Sequence, residues 1–241
     1  MNRKVSIVVP AFNEERLLPT SLASIRAASA AFTDAGWTTE LIVCDNNSSD
    51  RTAEIARAAG ATVVFEPVNQ IARARNAGAA RASGDWLVFV DADSYPSKAL
   101  FSELISVTTE SIGGGATVSF ETDDSAVRFA LACWNALSRA AKWAAGSFIF
   151  CEAAAFREIG GFSAALYAGE EIDFSRRLKR LARRRGRGFV ILHRHPLRTS
   201  DRKARLYTKR EHLAFMLKTL LLAGRTLRDR DACHVWYDGR R

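Results

Sequence analysis

Two short acidic groupings hold the residues best suited to chemistry. The first, Asp91-Ala92-Asp93, ends the apolar run Trp86-Leu87-Val88-Phe89-Val90. In extended backbone, carboxylates at i and i+2 project to one side, and two like charges that close repel unless a cation sits between them. A hard divalent ion, Mg2+ or Mn2+, suits such oxygen donors. Because Mg2+ keeps several waters and takes one or two carboxylates along with phosphate oxygens, the pair also points to a phosphorylated ligand. A solvated turn after a core strand is the plain alternative for this tripeptide alone. The second grouping, Glu170-Glu171-Ile172-Asp173, precedes a basic helical stretch from Arg176 to Arg183. Acids in a first helical turn are favoured by the dipole, and capping alone accounts for them. A carboxylate held there also has a fixed direction, and beside a metal-diphosphate site it can take the proton of an acceptor hydroxyl.

These residues need elements to place them. Val5 to Pro10 reads as a strand, followed by Ala11-Phe12-Asn13-Glu14-Glu15 and a helix with Leu18, Leu22 and Ile25 on one face, for which Asn13 is the expected N-cap. Leu41 to Asp45 repeats the scheme, with a turn cluster from Asn46 to Asp50 and a helix from Thr52 to Ala59 closed by Gly60. A strand from Thr62 to Phe65, a helix from Ile71 to Ala82 and the strand ending at Val90 follow. This alternation predicts an α/β fold with a parallel sheet covered on both faces, whose ligands gather at the carboxyl ends of the strands. Those ends carry Pro10 to Glu14, Asp45 to Asn47, and Asp91 with Asp93; for Asp45 alone, a turn or capping role is an equal reading.

Beyond Asp93 the rhythm weakens. Helices are expected near Ser97 to Ser111 and Ser125 to Ala141, with strands at Ala116 to Glu121, Ser147 to Cys151 and Phe189 to Leu192. Gly113-Gly114-Gly115 lacks the G-x-x-x-x-G-K-S/T spacing and precedes a strand, so a turn is expected there. Trp134 and Trp143 are expected in core packing. The organisation that follows is one half over residues 1–96, a second on the same sheet over 97–200, and a basic helical segment over 201–241.

The chain has 241 residues, 48% of them hydrophobic and 25% charged, enough for a sizeable core. Its net charge of +9 is uneven: from Arg176 onward Lys and Arg outnumber Asp and Glu by 21 to 5, whereas the preceding residues carry 14 against 21. Such a basic end can face nucleic acid, anionic lipid or a polyphosphate. Four widely spaced cysteines without C-x-x-C suggest neither a disulfide framework nor a zinc site, and no apolar run approaches the roughly 18 residues of a membrane span. A cytoplasmic protein is expected, either free or peripheral at the inner face of the membrane.

Five segments in order, VSIVVPAFNEE, LIVCDNNSSD, ARARNAGAARASGDWLVFVDADSYP, FREIGGF and AGEEIDFSRRL, resemble the family 2 glycosyltransferases. The resemblance implies a GT-A fold, with a Rossmann-like, mostly parallel central sheet flanked by helices and a contiguous acceptor lobe. It also implies inverting, metal-dependent transfer from a nucleotide-diphosphate sugar to an acceptor hydroxyl. By position, Pro10, Ala11, Asn13 and Glu14 would contact the nucleoside, Asp45 the base, and Arg75 with Asn76 would face the nucleotide, Arg75 as a phosphate or acid partner. Asp91 and Asp93 match the D-x-D motif, with Asp93 the direct Mg2+ or Mn2+ ligand and Asp91 nearer the ribose and donor sugar. Glu171 falls where the family has the catalytic aspartate of E-D-x-D, a departure that leaves Glu170 and Asp173 as alternatives. His193, and less so His195, stand where some members supply a histidine to the metal or diphosphate, and Arg198 and Arg202 could close over the phosphates.

Two rival classes carry weaker signals. A sugar nucleotidyltransferase should bear a glycine-rich, basic loop after the first strand, which PAFNEE is not. A nucleic-acid-binding module should interleave aromatics with its arginines, and the acidic first part would repel a phosphate backbone. Leu213 to Leu222, apolar apart from Lys218 and Thr219, is expected to pack on the second half or at a homodimer contact, with a peripheral membrane contact, which would suit an acceptor presented on a lipid, as the alternative; the hydroxyl acceptor, lipid-linked or polysaccharide, stays open.

Overall fold

The computed structural model describes residues 3–120, 122, 124–200, 225–229 and 233. Its strands are Lys4–Ala11 (β1), Thr38–Asp45 (β2), Thr62–Phe65 (β3), Trp86–Val90 (β4), Ser94–Tyr95 (β5), Ser111–Ser119 (β6), Phe148–Glu152 (β7) and Gly188–Thr199 (β8). The helices are Leu18–Ala28 (α1), Ala30–Asp34 (α2), Thr52–Ala58 (α3), Ile71–Arg81 (α4), Lys98–Val107 (α5), Ser125–Ala141 (α6), Ala153–Glu158 (α7) and Glu170–Arg184 (α8). All the strands join one sheet in the order β3-β2-β1-β4-β7-β6-β8-β5. β3, β2, β1 and β4 are parallel; β7 then runs antiparallel to both β4 and β6, β8 is parallel to β6, and β5 is antiparallel to β8.

Period-two alternation explains the layers. Val5, Ile7, Val9, Val88 and Val90 face one core with Leu18, Leu22, Phe32 and Phe101, whereas Val8, Leu87 and Phe89 face the other with Phe156, Phe162, Phe174 and Leu178. Every residue of β4 is buried, as a strand covered on both faces requires.

Three local expectations are corrected. Gly113-Gly114-Gly115 is no turn but the middle of β6, because its neighbours approach too closely for side chains. A Cβ at Gly114 would lie 1.9 Å from the Val190 carbonyl oxygen, and one at Gly113 would lie 2.6 Å from that of Phe150. Asn13 does not cap α1, whose N-cap position is Leu17 with Pro19 in the first turn. Instead it takes a left-handed conformation (φ 52°) and its Oδ1 accepts from the Ser49 N–H at 2.8 Å, joining the loop after β1 to the loop after β2. The strand expected to stop at Leu192 runs on to Thr199 through an irregularity in which Ala116 pairs with Leu192 but Val118 with Leu197. Trp134 is half-buried against the core, and Trp143 lies under the Arg176 guanidinium, which stands 5.4 Å from its ring centroid. No described helix is long and apolar enough to cross a membrane.

Candidate active site

Register brings the sequence candidates to one edge: Ala11 pairs with Asp45, and Val8 with Phe89, so β1, β2 and β4 end level. Pro10, Ala11 and Glu14 are buried there, and the Glu14 N–H donates to Thr52 Oγ1 at 2.7 Å. Asp45 is buried and accepts from the Ser48 N–H at 3.0 Å. Beside it, Asn46 ties the loops together: its Nδ2 donates to the carbonyls of Glu66 and Val68, and its Oδ1 accepts from the Gln70 N–H.

Arg75 is the pivot. Its α4 position places the guanidinium 1% exposed between the two acidic groupings, with Nη1 donating to Glu170 Oε1 at 2.7 Å and Nη2 donating to Asp91 Oδ1 at 3.1 Å and to the Gly146 carbonyl at 2.8 Å. Of the two partners left open by the sequence, acid and phosphate, the acids occupy it here; burial opposes its charge, and Asp91, Glu170 and Glu171 together hold the guanidinium more firmly protonated than usual. Asn76 does not face the edge: its side-chain amide donates to the Phe162 carbonyl at 2.8 Å and accepts from the Phe162 N–H at 2.9 Å, pinning the segment before α8. Gly78 lets α4 approach β1, since a Cβ there would stand 2.4 Å from Val8 Cγ1. The segment R-N-x-G is thus a clamp, a pin and a close-packing point in one helix.

The three acids of α8 have separate fates. Glu170 is buried on Arg75, while Asp173 turns away to Arg177 at 2.8 Å. Glu171 lines a cavity of about 240 Å3 together with Arg75, Asp91, Asp93, Glu170, Gly146 and Ser147. Burial, then the Glu170 charge, pushes its carboxyl up to about 8. Asp93 is buried at the cavity, where its carbonyl accepts from the Ser200 N–H at 3.0 Å. The groups lining this space that could ligate a metal are carboxylate and hydroxyl oxygens, with no imidazole or sulfur among them, which fits a hard divalent ion and no soft one. Among the described residues no cluster of three His, Cys, Asp or Glu forms a closed metal cage. An ion held by Asp93 and Asp91 would therefore draw its remaining ligands from a diphosphate and water.

His193 is not brought to this cavity. The irregularity in β8 extrudes His193 to Pro196 from the ladder, and Glu103 of α5 captures that bulge, accepting from the N–H groups of His193, Arg194 and His195 and contacting the His195 ring at 3.1 Å. Both rings are exposed. Arg198 stacks on Tyr95, 5.2 Å from its centroid, and Arg202 and Leu213 to Leu222 lie outside the described residues. The sequence alone does not single out Gln70, yet its Nε2 donates to the carbonyls of Ala164 and Leu166 at 2.9 Å, fixing the loop that leads to Glu170. Its only sequence signal was a polar residue at the start of a helix. The short turn Arg225–Arg228 reaches the same loop, where the Leu227 carbonyl accepts from the Tyr167 N–H at 2.7 Å.

The model of the family described as glycosyl transferase family 2 matches residues 6–130. The chain belongs to this family. Among curated relatives, an uncharacterized glycosyltransferase of Mycobacterium tuberculosis is 39% identical over 89 residues, covering 37% of this chain and 36% of its own length. The undecaprenyl-phosphate 4-deoxy-4-formamido-L-arabinose transferase of Yersinia enterocolitica is 33% identical over 137 residues, covering 52% and 40%. The matched region thus spans less than half of either relative. Among solved structures, the mannosyltransferase of Pyrobaculum calidifontis in complex with GDP-Man and Mn2+ superposes with a TM-score of 0.67 at 18% identity, over 97% of this chain and 65% of that one. The glucosyl-3-phosphoglycerate synthase of M. tuberculosis, in complex with Mn2+, UDP and phosphoglyceric acid, gives 0.62 at 22%, over 91% and 76%. This family member therefore has the GT-A fold, with mixed rather than uniformly parallel pairing in its second half.

Proposed function

We propose that this glycosyltransferase moves a sugar from a nucleotide-diphosphate sugar to an acceptor hydroxyl with inversion, using Mg2+ or Mn2+. One observation carries the reading: Arg75 takes one carboxylate from each acidic grouping, and Asp93 and Glu171 line the same cavity. The loop from Pro10 to Glu14 and the carboxylate of Asp45 bind the nucleoside, and Asp91 orients the donor sugar while fixed by Arg75. Asp93, with Asp91, would hold the divalent ion, whose positive charge would offset the negative charge developing on the leaving diphosphate. Glu171 accepts the acceptor's proton as the hydroxyl oxygen bonds to the anomeric carbon and the bond to the diphosphate breaks on the opposite face. The raised carboxyl of Glu171 suits a base working near neutral pH, and Glu170, spent on Arg75, is not available for that role.

Glu171→Gln should abolish transfer while leaving donor binding, read as the thermal shift produced by UDP, GDP or dTDP sugars with Mn2+, in place. Wild-type turnover in that variant would remove Glu171 as the base. Asp93→Ala should lose the cation-dependent part of the shift along with activity, and a retained Mn2+ response would move the metal elsewhere.

A further inference from the structure

α6 is apolar on the wrong side. Its inner stripe, Val127, Leu131, Trp134 and Ser138, packs toward β6 and the core, as a surface helix should. The outward stripe should then be polar, yet Phe129, Ala132, Cys133, Ala136, Leu137 and Ala140 are all exposed, Phe129 by 72% and Leu137 by 48%. From Ser125 to Ala141 the helix contains no acidic residue. Its charges are Arg128 and Arg139, both exposed and on one flank of the stripe. The basic border continues past the helix with Lys142, with Arg176 over Trp143, and with Lys179, whose Nζ donates to the Ala141 carbonyl. Acids precede the helix in sequence, Glu121, Asp123 and Asp124, and Asp124 accepts from the N–H groups of Ala126 and Val127 as the N-cap, beyond the end of the stripe.

We propose that this outer face of α6 docks on an anionic lipid surface. An apolar stripe that carries an exposed aromatic residue, here Phe129, and has a cationic border is the pattern of a helix lying in a membrane interface, and the border charge matches acidic head groups. A second copy of the chain fits less well. A helix of 17 residues is about 26 Å long, so its outer face falls far short of the roughly 800 Å2 per partner in a stable interface, and pairing two such faces brings like charges together. The helix leads through Lys142 to Ala145 into Gly146 and Ser147 of the cavity, so docking would set the cavity at the bilayer boundary.

The test is flotation of the full chain with phosphatidylcholine vesicles, with and without phosphatidylglycerol. A polarity-sensitive thiol dye on Cys133, the exposed one among the described cysteines, supplies a local readout. Binding to the anionic vesicles alone is expected, weakening with salt, with a blue shift of the dye. Phe129→Glu/Leu137→Glu should lower partitioning roughly tenfold or more. Both side chains face solvent, so the variant should keep the wild-type circular dichroism melt and donor-induced thermal shift. Absence of vesicle binding overturns the proposal. So does wild-type binding by the double variant, which would place the contact elsewhere, residues 213–222 included, and so does a self-association lost in that variant without any vesicle binding, which would make the occupant a second copy.

Discussion

Asp91-Ala92-Asp93 at a strand end and Glu170-Glu171-Ile172-Asp173 at a helix start differ in backbone but are divided in the same way. In each, one carboxylate is clamped by Arg75, Asp91 in the first and Glu170 in the second, and all four acids, Asp93 and Glu171 included, line one cavity. The third acid of the helical cluster is spent on Arg177. Neighbours in sequence therefore have different roles, and one residue from a third element sorts them. An acid next to another in sequence is not a spare for it.

The sharpest way to break this symmetry is to remove its pivot. Arg75→Met leaves two carboxylates uncompensated around a fully buried position, and should cost about 3–5 kcal/mol in urea unfolding, with loss of transfer. Arg75→Lys, a point charge without the fork, should recover part of the stability and little of the activity. Unchanged stability in both would mean that the clusters are not tied through this residue. Glu171→Asp, which shortens the reach by one methylene, should lower kcat by a factor of about 10 to 100 with donor binding retained, while Glu170→Gln should act chiefly on stability; the reverse pattern would exchange their roles.

The pH dependence of stability tests the surroundings of Glu171 directly. With Glu171 raised from 4.5 to about 8, the folded chain holds its proton more tightly than the unfolded chain. Its contribution to stability is fully present below about pH 4.5 and is lost as pH rises through about 8. Metal-free Glu171→Gln should therefore gain stability relative to the wild type between pH 5 and pH 9, measured by urea midpoints, and a parallel pair of curves would contradict the burial of that carboxyl. Gly78→Ala tests the helix that carries the clamp: its Cβ meets Val8, and a loss of about 1–3 kcal/mol is expected. The smallest effect belongs to Asp173→Asn, which breaks a partly exposed i,i+4 pair worth about 0.3–0.5 kcal/mol and should leave turnover within about twofold of wild type.

The parallel half was legible because its signals are local. Buried β-branched runs ending in Pro10, Asp45 and Asp91 mark strands, and parallel strands put those ends on one edge without further information. The second half was less so. Gly113-Gly114-Gly115 has the composition of a turn, and only the closeness of β7 and β8 makes it a strand. His193 has the chemistry of a ligand, and only the bulge captured by Glu103 removes it from the cavity. Asn13 has the chemistry of a cap, but the partner that claims it, Ser49, is 36 residues away.

By itself, then, the order of residues determined the strand-helix rhythm, the edge where polar residues collect and the two acidic groupings, since each depends on side-chain period and on neighbours within a few positions. The tertiary structure alone decided which carboxylate of each grouping is clamped by Arg75. That choice depends on where a single guanidinium from α4 ends up, between Asp91, 16 positions away, and Glu170, 95 positions away, and no local pattern encodes a meeting at such separations.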